Sequence, residues 1–154
     1  MDEDDEDDED DEDFPVDRLS AVAARIWRQE SDGSISIEID LDPIELSLGE
    51  DELSGRLDSP ICLDLVAVPT SNPEELAGRT FDFPVNPEDG YIDGSVYVLV
   101  CHVPVDVTRM VFTKLEGKET AITIEASFRP EYEGLGYRDF RKVLTCPIRQ
   151  ETPA

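Results

Sequence analysis

From Ser34 onward the hydropathy of this chain alternates at every second residue. Ile35, Ile37, Ile39 and Leu41 share one parity, and Ser36, Glu38 and Asp40 share the other. Successive side chains of an extended strand point to opposite faces, so the segment predicts a strand with one dry and one wet face. At Asp42-Pro43 the apolar parity moves to Ile44, Leu46 and Leu48. A one-residue slip reverses every side chain, so the chain must turn or bulge at that proline.

Short apolar runs separated by turn residues continue along the chain. Residues 61–68, bracketed by Pro60 and Pro69, predict an inner strand. Phe81, Phe83 and Val85 alternate before the turn-rich Asn86-Pro87-Glu88-Asp89-Gly90. Residues 96–103 are apolar on both parities and are expected to form the most buried strand, near the centre of the sheet. Residues 105–115 and 120–128 flank Glu116-Gly117-Lys118-Glu119, a hairpin signal in which the glycine supplies the positive φ. The last strand is expected at about 137–148, with Phe140, Leu144, Cys146 and Ile148 on one side. Residues 50–59, 70–78 and 129–136 read as loops, with one helical turn where Asn72-Pro73-Glu74-Glu75 offers a cap followed by proline.

Near the start, Leu19, Val22, Ala23, Ile26 and Trp27 follow the stripe of a short amphipathic helix, with Ser20 as its cap. The competing reading pairs residues 26–29 with the next strand across Ser31-Asp32-Gly33. The expected fold class is mainly β: an antiparallel β-sandwich or strongly curved sheet of about 7–8 strands with at most one or two short helices.

Residues 2–13 are acidic without interruption: Asp2, Glu3, Asp4, Asp5, Glu6, Asp7, Asp8, Glu9, Asp10, Asp11, Glu12 and Asp13. Burying such a run would strip carboxylates of water without partners, at several kcal/mol per ion. It is therefore expected to be a disordered acidic arm, followed by a single β-rich domain over 14–150 and a disordered tail at 151–154. The arm holds twelve of the 38 acidic residues, and the other 26 face 13 basic ones, so the body is acidic too. That excess lies in residues 14–100, whereas 101–154 are balanced. A negative field repels phosphate backbones and anionic lipid and speeds encounter with basic proteins. Nucleic acid and membrane are thus disfavoured as partners and a basic protein is favoured; the alternative is that the arm is only a solubility element. No stretch approaches the roughly 20 apolar residues of a membrane span, and an acidic amino terminus is the reverse of a signal peptide, which predicts a cytoplasmic protein.

Residues that carry chemistry are sparse. Cys62, Cys101 and Cys146 are widely spaced and fit reduced thiols in a core. His102 adjoins Cys101, but neighbours on a strand face opposite ways and cannot form a dyad, which leaves Cys62 and Cys146 as its spatial candidates. Glu131 with Glu133, or Asp89 with Asp93, can be drawn as an acid and base pair, yet their polar, glycine-rich settings do not raise a carboxyl pKa. Residues 86–90 lack the ligand spacing of a calcium loop, and Glu133-Gly134-Leu135-Gly136-Tyr137 lacks the lysine and helix of a phosphate loop. No enzyme activity, metal or cofactor is expected. Arg138, Arg141, Lys142 and Arg149 form a modest basic tract able to attract the arm in cis.

The expected function is therefore non-enzymatic binding that neutralises a basic protein. The arm, Asp89, Asp93, Glu131 and Glu133 would supply charge, and Tyr91, Tyr97, Tyr132 and Tyr137 would supply anchors. A small, acidic, β-rich chain of this kind resembles the immunity proteins of bacterial toxin systems. Residues 103–109 (VPVDVTR) and 132–137 (YEGLGY) are also similar to segments of small bacterial proteins. The resemblance implies an inhibitor of a toxin-like partner and carries no site residue with it. In joining a β-rich body to an acidic tract the chain also resembles nucleoplasmin-like chaperones of histones and other basic proteins.

Overall fold

The computed structural model describes residues 13–31, 33–48, 53–57, 59–83, 93–98, 101–133 and 137–149. The protein is mainly antiparallel β, with eight strands in one nearly closed, curved sheet and a separate two-stranded hairpin. The strands are β1 (Ala21–Arg28), β2 (Ile35–Leu41), β3 (Ile44–Leu48), β4 (Leu53–Leu57), β5 (Ile61–Asp64), β6 (Thr80–Asp82), β7 (Asp93–Val98), β8 (Cys101–Lys114), β9 (Thr120–Phe128) and β10 (Phe140–Pro147). The sheet runs β1-β2-β5-β7-β8-β9-β10, with β6 paired to β8 and β3 paired only to β4. Beyond β10, Ile148 forms a parallel bridge with Ala24 of β1, and the Arg149 amide donates to the Ala24 carbonyl at 2.8 Å. That contact nearly closes the ring, leaving little exposed edge for stray strand pairing.

The alternating segment behaves as its pattern requires. Ile35, Ile37, Ile39 and Leu41 of β2 are buried, while Glu38 and Asp40 face outward. The parity change at Asp42-Pro43 is the turn between β2 and β3, after which Ile44 and Leu46 enter the same core. Ile26, Ile37, Leu63, Val96, Val105, Met110, Phe112, Ile122, Ile124 and Leu144 fill the barrel interior. The 116–119 hairpin forms with Gly117 at φ 84°, and the Asn72 side chain accepts from the Glu74 amide at 3.0 Å to cap the turn Pro73–Leu76.

β8 is long because it serves several neighbours. Its first residues pair with β7, Arg109–Val111 pair with β6, and β9 follows it from Val105 to Lys114. The register with β9 shifts between Val107 and Arg109, and there the Thr108 carbonyl accepts from the Phe83 amide at 2.9 Å. Such a bulge bends a strand and raises its twist, which suits closure of a small barrel.

Four expectations need correction. The stripe from Leu19 to Trp27 is strand β1, not a helix. Its register with β2 runs from Ala21 opposite Leu41 to Arg28 opposite Ile35, around a turn in which Gly33 adopts φ 76°. A nine-residue stripe fits either period, and the β2 ladder decides it. Residues 53–57, expected as loop, are β4, because their backbone groups find partners on β3. The 61–68 strand stops at Asp64, since Leu65 takes φ 60°, although Val66 and Val68 are still buried. Residues 96–103 are not one doubly buried strand but the facing ends of β7 and β8, with Val96 opposite Val103, so Val96 and Val98 point in while Tyr97 is 55% exposed.

Candidate functional site

The outer face of β1, β2, β5 and β7 gathers carboxylates from two strands, β2 and β5. Arg25 on β1 lies opposite Glu38 on β2, which lies opposite Cys62 on β5, which lies opposite Ser95 on β7. One rung away, Trp27 lies opposite Ser36, whose hydroxyl donates to Asp64 at 2.8 Å and accepts from Gln29 at 2.9 Å. Ser36 is 1% exposed although it faces outward, so its pairing with Asp64 meets the demand that buried polar groups be satisfied. Arg25 binds Glu38 and grips Asp40 with both terminal nitrogens, at 3.0 and 3.2 Å. One cation thus serves two carboxylates, and Asp64 makes no ion pair among the described residues. The face carries net negative charge.

Apolar surface lies beside these carboxylates. Trp27 is 38% exposed on the same face, Tyr97 stands exposed on β7, and Leu65, directly after Asp64, is 53% exposed. Leu65 holds φ 60°, a left-handed conformation that a leucine adopts at a cost of roughly 1–2 kcal/mol. Exposed aromatics are enriched among the anchors of protein interfaces.

Neither described thiol, Cys62 or Cys146, suits nucleophilic work. The Cys62 thiol lies 4.0 Å from a Glu38 oxygen, and burial first, then the Glu38 and Asp64 carboxylates, push its pKa up. Burial and, secondarily, Asp40 raise the Cys146 thiol to about 11. Because the thiolate is the reactive form, Cys146 should resist iodoacetamide at pH 8 in the folded chain and react at the ordinary rate once urea unfolds it. Peptide mass spectrometry after timed alkylation reads both rates, and equal rates would contradict the burial. The sign of the linked pH dependence follows. A thiol whose pKa is raised in the fold supports the folded state below its unfolded value near 9, and that support is lost as pH climbs toward about 11. No group of three or more His, Cys, Asp or Glu side chains among the described residues is arranged to hold a metal ion. No helix among them is long and apolar enough to cross a membrane.

Most of the residues expected to bind a partner lie outside the described residues, and apart from Asp13 the described ones fall on β7 and between β9 and β10. Tyr137 is a correction: it is 2% exposed, with its ring edge against Phe14, so it is a core residue and no surface anchor. Glu131 has a structural tie, since its amide donates to the Asp139 carboxylate at 3.0 Å and its own carboxylate accepts from the Asp139 amide at 2.9 Å. Tyr132 and Glu133 belong to the 3-10 turn Pro130–Glu133, and Asp93 opens β7 opposite Asp64. Asp89, Tyr91, residues 2–12 and the 151–154 tail lie outside the described residues. His102 lies opposite Tyr97 in the β7–β8 ladder. Trp27 and Asp64 were missed as site residues, Trp27 because the helical stripe turned it inward. The wet parity of Ser36, Glu38 and Asp40 was the signal that marked this face.

The arm's last residue is placed. Asp13 accepts from Arg138 at 3.0 Å, and Phe14 stacks on Phe140 at 4.5 Å, which stacks in turn on Phe128 at 4.7 Å. Arg138 is the cation shown at this root, and other cations of the carboxy-terminal third have partners elsewhere. Arg129 pairs with Asp106 at 2.7 Å and Arg109 with Asp82 at 2.7 Å, whereas Arg141 makes no ion pair among the described residues. No protein-family model, no curated protein and no solved structure matches this chain.

Proposed function

We propose that this chain is a non-enzymatic binding protein that neutralises a basic protein, engaging it through the outer face of β1, β2, β5 and β7. The observation that carries this reading is the placing of Glu38, Asp40 and Asp64 on one sheet face with Trp27, Leu65 and Tyr97 exposed at its margins and Arg25 as the one cation among the described residues there. Carboxylates steer a cationic partner and fix its register, and aromatic anchors slow its release. A toxin-like enzyme with a cationic groove fits this surface, as the likeness to immunity proteins implies. The acidic arm adds long-range attraction, which acts chiefly on the association rate.

The test is affinity capture from the lysate of the source cells, with three baits: the full chain, W27A/D64N, and a chain lacking residues 2–12. The full chain should retain a basic protein, the face variant should lose at least about tenfold in affinity, roughly 1.4 kcal/mol, and the shortened chain should keep most of its affinity, losing only what its slower association takes away. Capture unaffected by W27A/D64N would remove the face from consideration. Capture abolished by loss of the arm would replace this reading with that of an acidic-tract chaperone.

A further inference from the structure

The ring closes between β10 and β1 only at the bridge from Ile148 to Ala24, and the first half of β10 keeps a free edge. In an antiparallel pair, successive residues turn their N–H and C=O alternately toward the partner strand and away from it. The Ile148 amide donates to the Thr120 carbonyl at 2.8 Å, so in the unbroken register of β10 with β9 the even residues Lys142, Leu144 and Cys146 face β9. Arg141 and Val143 therefore turn their backbone groups to the other side, where farther along the Arg149 amide meets Ala24. Pro147 has no N–H with which to extend that contact by another rung. Ahead of β1, residues 14–19 make their backbone bonds among themselves. Among the described residues nothing pairs with the outward N–H and C=O of Arg141 and Val143.

We propose that this edge of β10 takes an extended segment of a partner protein as an added strand, and that the segment carries carboxylates. In strand addition the main-chain hydrogen bonds supply affinity and the side chains select the partner. Arg141 and Lys142 make the selection here, because adjacent strand residues lie on alternate faces and so one cation flanks the edge on each face. Arg141 is exposed and Lys142 half-buried, and neither makes an ion pair among the described residues. Val143, 59% exposed, offers a β-branched contact across the new rung. Edge cations deter a second edge of the same charge. A second copy brings the same two cations and a formal charge of -25, whereas a strand bearing Asp or Glu meets them with opposite charge. The acidic face does not oppose such a segment: β10 lies across the ring from β5, and at about 0.15 M salt the Debye length is only about 8 Å. The inference does not rest on the basic partner proposed above, which takes the other side of the barrel.

Backbone NMR and hydrogen exchange of the full chain test it, with a capped peptide of alternating valine and glutamate as the probe and its lysine-for-glutamate counterpart as the control. In the free chain the amides of Arg141 and Val143 should exchange quickly, while those of Lys142 and Leu144, bonded to β9, are protected. At about ten times its Kd, the glutamate peptide should displace the Arg141 and Val143 resonances and slow their exchange about tenfold. The lysine peptide should do neither. R141Q/K142Q should weaken the glutamate peptide about fivefold. Val143→Pro deletes one outward N–H without removing a bond to β9 and should abolish the effect at Arg141. Protection at Lys142 and Leu144 reports whether that variant keeps its fold; if it does not, the natural chain and R141Q/K142Q decide. Slow exchange of Arg141 and Val143 in the free chain would overturn the proposal, since the edge would already be occupied. So would equal binding of both peptides, or displacements confined to residues away from β10.

Discussion

Replacing Gly94 by alanine is expected to destabilise the barrel by about 3 kcal/mol or more and to lower its melting temperature by about 10 °C. Gly94 lies on β7 opposite Leu63 of β5, one residue beyond the Ser95–Pro104 pair that joins β7 to β8. A Cβ built there would stand 2.4 Å from the Val105 carbonyl oxygen and 2.8 Å from Leu63 Cδ2. The first contact is with backbone, which a rotamer change cannot relieve. Either β7 shifts away from β8 or the β5–β7 ladder breaks, and both disturb the centre of the sheet that carries the acidic face. Gly33→Ala is the control: Gly33 has φ 76° with nothing within 4 Å of its added Cβ, so it should cost only the roughly 1–2 kcal/mol of a left-handed alanine. Melting curves followed by far-UV circular dichroism compare the two. A Gly94→Ala chain as stable as Gly33→Ala would mean that β7 and β8 are farther apart than described.

Gly94 also shows why part of this fold was hidden in the sequence. Features settled by neighbours along the chain were legible: the wet and dry parities of Ile35–Leu41, the parity switch at Pro43, the Asn72 cap and the Gly117 hairpin all follow from local chemistry. Features settled across strands were not. Leu19 to Trp27 satisfies a helical stripe and a strand equally, and only the β2 ladder and the bridge to Ile148 choose between them. Leu53–Leu57 has polar, loop-like composition and becomes a strand because β3 is beside it. A continuous apolar run at 96–103 hid the junction of two strands, since both ends of a hairpin that contribute to one core are apolar. The acidic face divides in the same way. Glu38 and Asp40 follow from parity, but nothing local places Asp64, Trp27 or Leu65 beside them, and Tyr137 looked like a surface anchor because its burial depends on Phe14, which is more than a hundred residues earlier in the chain.

Phe14→Ala should cost about 3 kcal/mol of stability, although the position directly follows a run of twelve acidic residues. The physical basis is the ring stack Phe14–Phe140–Phe128, closed at its side by Tyr137, in which Phe14 is 5% exposed. Removing its ring leaves a cavity against the start of β10 and uncovers both Tyr137 and Phe140. Asp13→Asn is the contrast, because an ion pair exposed on both sides is worth under about 1 kcal/mol. Urea unfolding should therefore separate the two variants clearly, with Phe14→Ala shifted to a lower midpoint and Asp13→Asn close to the natural chain. Equal midpoints would mean that Phe14 does not belong to the core. The difference matters for the arm itself. If apolar packing at Phe14 holds the root of the acidic run, salt can release Asp13 from Arg138 without detaching the place where that run begins.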